Sequence, residues 1–145
     1  VRAPDVRDVA KRFSQTITLI ELTELIRNPI HEVRLCALII LVNKYNKEGS
    51  DRIFEYYLKH LNSINNWDLV DVSAPHIVGD YLYNNPEKSK ILLEFSHSEN
   101  LWVRRISIVS TFAFIRKNEF RLTILKSLNS VCDNFYFYVS VFSLN

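Results

Sequence analysis

The chain has 145 residues, enough for one domain, and its 48% hydrophobic and 12% aromatic content favours a buried core over disorder. Two glycines and four prolines provide few tight turns, which argues against a β-sandwich or barrel and favours an all-α fold. Eighteen Lys and Arg residues stand against 16 Asp and Glu residues, so the formal charge of +2 does not by itself predict nucleic-acid binding, which requires cations grouped on one face.

The cysteines, the apolar runs and the N-terminal segment bear on cellular location. Cys36 and Cys132 form no CxxC motif and indicate neither a metal site nor a disulfide framework. No run reaches 18 uncharged apolar residues, and the charged N-terminal segment does not resemble a signal peptide. We therefore expect a soluble cytoplasmic protein with no membrane partner, located at the nucleoid or nucleus if it acts on genomic DNA. The absence of methionine suggests a fragment of a longer protein.

Apolar residues recur at helical spacing along most of the chain, and no interior strand is convincing. Pro29 marks the boundary between the second and third helices, and Pro75 indicates a kink or a break. The run LCALIILV predicts that the third helix is central and buried. About eight helices are predicted, in chain order, over residues 4–15, 18–28, 30–46, 51–64, 65–85, 86–100, 101–120 and from 119 onward.

An internal repeat is indicated when EVRLCALIIL is aligned with WVRRISIVST. In the same register, Arg34, Asp71 and Arg104 occupy equivalent positions, with steps of 37 and 33 residues. Steps of about 35 to 45 residues are typical of stacked helix pairs. The sequence therefore predicts a HEAT-like helical solenoid. Arg34 and Arg104, at one repeat position, either brace the repeats or bind phosphate, and both alternatives remain open.

The final segment departs from this pattern. Residues 129–145 hold one charged residue and many aromatics, and they suggest an alternating strand or sequence foreign to the fold. A shifted reading frame, an alternative exon or a truncation near residue 128 would explain it. We expect a partial helical domain over residues 1–128, followed by an atypical tail.

Trp67 and Asp71 are the residues that best suggest chemistry, because the spacing W-x-x-x-D places them one helical turn apart on one face. Breaking an N-glycosidic bond builds positive charge on the deoxyribose, which a nearby carboxylate stabilises while it positions a water molecule. An aromatic face beside it holds a sugar or a cationic base. Without further support, Asp71 would be a solvated helix residue and Trp67 a core residue.

Four ordered segments provide that support: VRAPDVR at residues 1–7, HEVRLCAL at 31–38, NWDLVD followed by Ala-Pro at 66–75, and WVRRISI at 102–108. They resemble the DNA alkylation repair glycosylases built from HEAT-like repeats. The resemblance implies an α-α superhelix that removes alkylated purines from DNA. It also implies that Asp71 is the catalytic carboxylate, that Trp67 packs on the sugar of the damaged nucleotide, and that Arg105, with Arg104 beside it, grips the adjacent phosphate.

The resemblance covers about two thirds of a typical member. A later K-A-x-G-W-x-L-R-E helix, which supplies a further aromatic, has no counterpart, and neither do the family's first helices. The expected substrate is double-stranded DNA carrying cationic 3-methyladenine or 7-methylguanine, and we expect a monomer without a cofactor. The alternatives are a non-catalytic HEAT-like scaffold that binds DNA or protein, and an inactive fragment of the glycosylase.

Other polar residues receive structural interpretations. Asp68, in the first turn behind Asn66, is expected to favour the start of the helix rather than to act as a second acid. His76 and Asp80, spaced i and i+4, predict a structural hydrogen bond instead of a metal site, because no second His or Cys pair accompanies them. His31, His60 and His97 are expected at the surface or at helix caps.

Overall fold

The computed structural model describes residues 3–116, which form helices and short connections with no strand among them. The predicted all-α class is confirmed. The last predicted helix and the tail at residues 129–145 lie outside the described residues. In the described range, the helices are α1 (Ala3–Phe13), α2 (Leu19–Ile26), α3 (His31–Glu48), α4 (Asp51–Lys59), α5 (Trp67–Ala74), α6 (Asp80–Asn84), α7 (Lys90–Ser96), α8 (Leu101–Ser110) and α9 (Phe112–Arg116).

Local sequence sets several of these boundaries. Thr18 begins α2 with a capping box, in which its Oγ1 accepts from the Glu21 backbone N–H and its own N–H donates to Glu21 Oε2 at 2.7 Å. The backbone N–H and the hydroxyl of Thr18 both donate to the Glu21 carboxylate and lower its pKa. The long helix α3 ends at Gly49, which adopts φ of 54°, a left-handed conformation that glycine tolerates.

Helix α3 is the centre of the core, as its apolar middle predicts. Helices α1 and α2 pack against it on one side, and α5 packs on the other, followed by α8, so that α3, α5 and α8 form one row. Helix α7 covers α8. The Tyr57 hydroxyl of α4 forms a hydrogen bond with the Ser73 hydroxyl of α5 at 3.0 Å. Burial raises the pKa of Tyr57. The largest fully buried side chains include Leu22, Ile26, Leu38, Ile40, Leu41, Ile53, Leu69 and Ile77.

The chain does not break at Pro75. Helices α5 and α6 are joined by one wide π-helical turn, Pro75–Gly79, because proline has no N–H to continue the α-helical hydrogen bonds. Gly79 in this turn lies against the end of α8, where an added Cβ would stand 2.3 Å from the Ser110 carbonyl oxygen and 2.7 Å from the Ala113 Cβ. Close approach of the row's helices at this point therefore requires glycine.

Helices α3 and α8 begin in the same way. Arg34 and Arg104 are each the fourth residue of their helix, and the NH1 atom of each donates to the backbone carbonyls six and five residues earlier in the chain. The four distances lie between 2.6 and 2.9 Å. This equivalence supports the predicted internal repeat, and the solenoid as a whole stays a prediction. Between residues 3 and 116, no helix combines the length and apolarity needed to span a bilayer.

Candidate active site

Helix α5 exposes the two predicted catalytic residues, Trp67 and Asp71, along one face. This face, together with Arg105 of α8 beside it, is called the strip below. Asn66 caps the helix by accepting from the Trp67 N–H at 2.7 Å, and the opposite face buries Leu69 and Val70 completely. Trp67 is 59% exposed, so the alternative that it belongs to the core is wrong. The Asp71 side chain, one turn later, is 39% exposed. A large exposed aromatic beside an accessible carboxylate is a surface suited to binding.

Arg105 of α8 reaches across to Asp71. Its Nε donates to Asp71 Oδ1 at 3.0 Å and its NH2 donates to Oδ2 at 2.8 Å, a bidentate ion pair. The Arg105 side chain is 40% exposed. The packing of α8 on α5 thus brings together the predicted acid and the predicted phosphate-binding residue, which are 34 positions apart in the sequence. Both remain accessible from solvent.

Arg104 has different surroundings although it is the next residue. Its NH1 atom donates to the Ser98 carbonyl at 2.6 Å and the Glu99 carbonyl at 2.9 Å, so it braces the turn that leads into α8. Of the two alternatives for the repeated arginines, this geometry favours bracing. The role of Arg104 at a DNA phosphate stays a prediction.

Sequence reasoning missed the partner of Asp68. His31, the first residue of α3, places its Nε2 2.6 Å from Asp68 Oδ2, and the two side chains are 31% and 27% exposed. Asp68 Oδ1 also accepts from the Leu69 N–H at 2.8 Å, which fits its predicted role at the start of the helix. A signal was present: His31 and Asp68 are 37 residues apart, the same step that separates Arg34 from Asp71 in the repeat.

Asp80 has structural partners, whereas the predicted hydrogen bond between His76 and Asp80 stays a prediction. Asp80 accepts from the Tyr45 hydroxyl at 3.1 Å and from Asn84 Nδ2 at 3.1 Å, which ties α6 to α3. Burial, and then the Asp80 charge, raise the pKa of Tyr45. Within residues 3–116, no three His, Cys, Asp or Glu side chains are grouped so that they could hold a metal ion.

A separate groove of about 460 Å³ lies between α1, α2 and α3 and is almost entirely apolar. Val9 and Phe13 of α1 line it and are about half exposed. It contains none of the residues of the strip on α5. The groove therefore does not contribute to the candidate active site.

An all-helical fold that exposes an acid, an arginine and a tryptophan together fits a repair enzyme that acts on DNA. The model of the DNA alkylation repair enzyme family matches residues 1–135, and the chain belongs to that family. The resemblance found in the four sequence segments is thereby confirmed. No curated protein and no solved structure matches the chain.

Proposed function

We propose that this protein is a DNA glycosylase that hydrolyses the N-glycosidic bond of cationic, alkylated purines in double-stranded DNA. The observation that carries the proposal is the Asp71–Arg105 ion pair, exposed one helical turn from the exposed Trp67. A carboxylate, a guanidinium and an indole on one accessible strip offer one group each for the sugar cation, the phosphate and the sugar face.

Asp71 supplies the negative charge. When the glycosidic bond breaks, its electron pair moves to the purine and neutralises the positive charge that alkylation placed there, so the leaving group needs no general acid. Positive charge then develops on the deoxyribose, where the carboxylate stabilises it and orients the water that attacks the anomeric carbon. One carboxylate is sufficient for this reaction.

Arg105 supplies the contact to DNA. Its side chain is 40% exposed, and a phosphate offers the guanidinium the same bidentate geometry as the Asp71 carboxylate, so a phosphate can replace that carboxylate. The planar guanidinium then binds two phosphate oxygens in the same bidentate manner. Arrival of the DNA backbone would therefore release Asp71 where the reaction requires it.

Trp67 supplies an apolar surface. Trp67 lies one helical turn before Asp71 and is exposed. An exposed indole face contacts deoxyribose C–H groups and attracts a cationic base. Because these contacts do not depend on base edges, the proposal predicts recognition of the sugar and charge rather than of a base sequence.

The same ion pair also favours a second candidate, a non-catalytic scaffold. Both carboxylate oxygens of Asp71 accept from Arg105 and join α5 to α8, which is a structural role that needs no reaction. Incubation of the protein with a duplex containing 7-methylguanine distinguishes the two. The glycosylase releases free 7-methylguanine and leaves an abasic site, whereas an unmethylated duplex yields neither product. Salt-sensitive binding to both duplexes without base release would contradict the proposed reaction and support the scaffold or an inactive fragment.

A further inference from the structure

The strip on α5 carries a second carboxylate close to Asp71. With about 100° of rotation per residue, Asp71 lies about 40° from Trp67 and about 60° from Asp68 around the helix axis, between the two. Residues spaced three apart on a helix have Cβ atoms about 5 to 6 Å apart. A free Asp68 would therefore add a second negative charge beside the catalytic candidate, on a surface proposed to meet phosphates.

His31 binds that second carboxylate, the side chain of Asp68. Its Nε2 lies 2.6 Å from Asp68 Oδ2, while the other oxygen accepts from the Leu69 backbone, so both oxygens of Asp68 are bound within the protein. Asp71 is held instead by Arg105, from the opposite neighbour in the row. The two carboxylates thus have partners on different helices, α3 for Asp68 and α8 for Asp71.

The two partners differ in what DNA would do to them. A guanidinium can transfer from Asp71 to a phosphate, because it is the phosphate-binding type of side chain. The imidazole of His31 is half-buried at the first position of α3, where it lies between α3 and α5 rather than on the open surface. Only one of the two carboxylates is then released toward substrate.

We propose that His31 is a positioning residue that holds the Asp68 carboxylate away from DNA, so that Asp71 is the one acid presented to the substrate. This inference rests on the proposed function, because it assumes that DNA binds over the strip. It assigns to His31 an effect on DNA affinity and not on the bond-breaking step.

The test compares DNA affinity and base release for His31→Ala, Asp68→Asn and the double variant, with fluorescence anisotropy of a labelled duplex as the binding measurement. His31→Ala frees a charge that repels phosphate, and we expect about three- to fivefold weaker binding, the size of effect that one exposed charge produces. The kcat for base release should stay near that of the wild type. Adding Asp68→Asn removes the freed charge and should restore the affinity, although the double variant has lost the bond altogether.

Two controls separate this role from general stabilisation. His31→Gln, which keeps a donor for Asp68, should bind DNA nearly as well as the wild type. Tyr45→Phe removes another bond between α3 and the α5–α6 unit, the one to Asp80, and should leave DNA affinity unchanged. A double variant as weak as His31→Ala, or an equal loss in Tyr45→Phe, would overturn the proposal.

The outcome is independent of the proposed reaction. If the wild type binds DNA but releases no base, the glycosylase assignment fails and the affinities still decide the role of His31. If the wild type does not bind DNA at all, both proposals are overturned.

Discussion

Arg104 and Arg105 are adjacent in the sequence and serve two different regions. Arg104 belongs to the brace at the start of α8, where its guanidinium is fixed to two backbone carbonyls, as Arg34 is at the start of α3. Arg105 belongs to the exposed strip, where its partner is the carboxylate of Asp71. A brace holds its arginine against groups that cannot leave, whereas the strip holds its arginine against a side chain that a phosphate can replace.

Helices α3 and α8 are alike at their fourth residue and differ at their fifth. The fourth residue of α3 and of α8 keeps the same bonds, which shape the turn before the helix, and the fifth residue of α8 is free to take another role. Leu35 stands at the fifth position of α3 and is partly buried against the core. The fourth positions therefore serve the same structural role in both helices, and in the proposed function the fifth position of α8 contacts DNA.

Removing a brace should give the largest effect. Hydrogen bonds from charged groups contribute about 1.5 to 3 kcal/mol, so we expect Arg104→Ala to lower the free energy of unfolding by about 2 to 3 kcal/mol. Arg34→Ala is the matched variant and should lose a similar amount. Urea denaturation measures both.

DNA affinity of the folded Arg104→Ala variant should match that of the wild type. A stable variant with weakened DNA binding would instead support the predicted phosphate role of Arg104 and would show that both arginines contact DNA.

Removing Arg105 should weaken DNA binding more than it lowers stability, the reverse of removing Arg104. Because its ion pair is bidentate but about 40% exposed, Arg105→Ala should cost about 1 kcal/mol of stability, less than Arg104→Ala. One lost phosphate contact should weaken DNA binding about tenfold at low salt and reduce the steepness of the salt dependence by about one charge. Affinities measured at several salt concentrations check this. Arg105→Lys keeps the charge and loses the bidentate geometry, so its DNA affinity should lie between those of the wild type and Arg105→Ala.

The helix caps should show the smallest difference. Asn100 Oδ1 accepts from the Trp102 N–H at 2.9 Å, a capping bond of the usual span, and Asn100→Ala should cost about 1 kcal/mol. Asn66 instead accepts from the next residue, Trp67, so Asn66→Ala should cost less. Thermal unfolding of the two variants measures the difference, and a larger loss for Asn66→Ala would show that the strip depends more on its cap than the brace does.

Much of this arrangement follows from local sequence patterns. The apolar run in α3 predicts the central helix, and the i and i+4 spacing of Trp67 and Asp71 predicts their common exposed face. Pro75 predicts only a kink or a break, and this local pattern does not specify the π-helical turn that joins α5 to α6. The predicted helix over residues 101–120 is interrupted at Thr111 within the described range for a reason that no local pattern reveals.

Contacts between distant residues are the part that local patterns cannot supply. The bonds of Arg104 end on backbone carbonyls, which every residue has, so no residue type in the sequence identifies them. The pairing of His31 with Asp68 depends on how α3 and α5 align in the row. The domain boundary at residue 128 and the tail stay predictions, since they lie outside the described residues.

Single-turnover release of 7-methylguanine from duplex DNA by the wild type and by Asp71→Asn tests the proposed catalytic role of Asp71 most directly. Asp80→Asn is the matched control, because Asp80 is a carboxylate on the same helical unit that bonds Tyr45 and Asn84. We predict that Asp71→Asn binds DNA at least as tightly as the wild type but releases the base about a hundredfold or more slowly, the loss typical of removing one electrostatic stabiliser. Equal rates of release by the wild type and Asp71→Asn would contradict it.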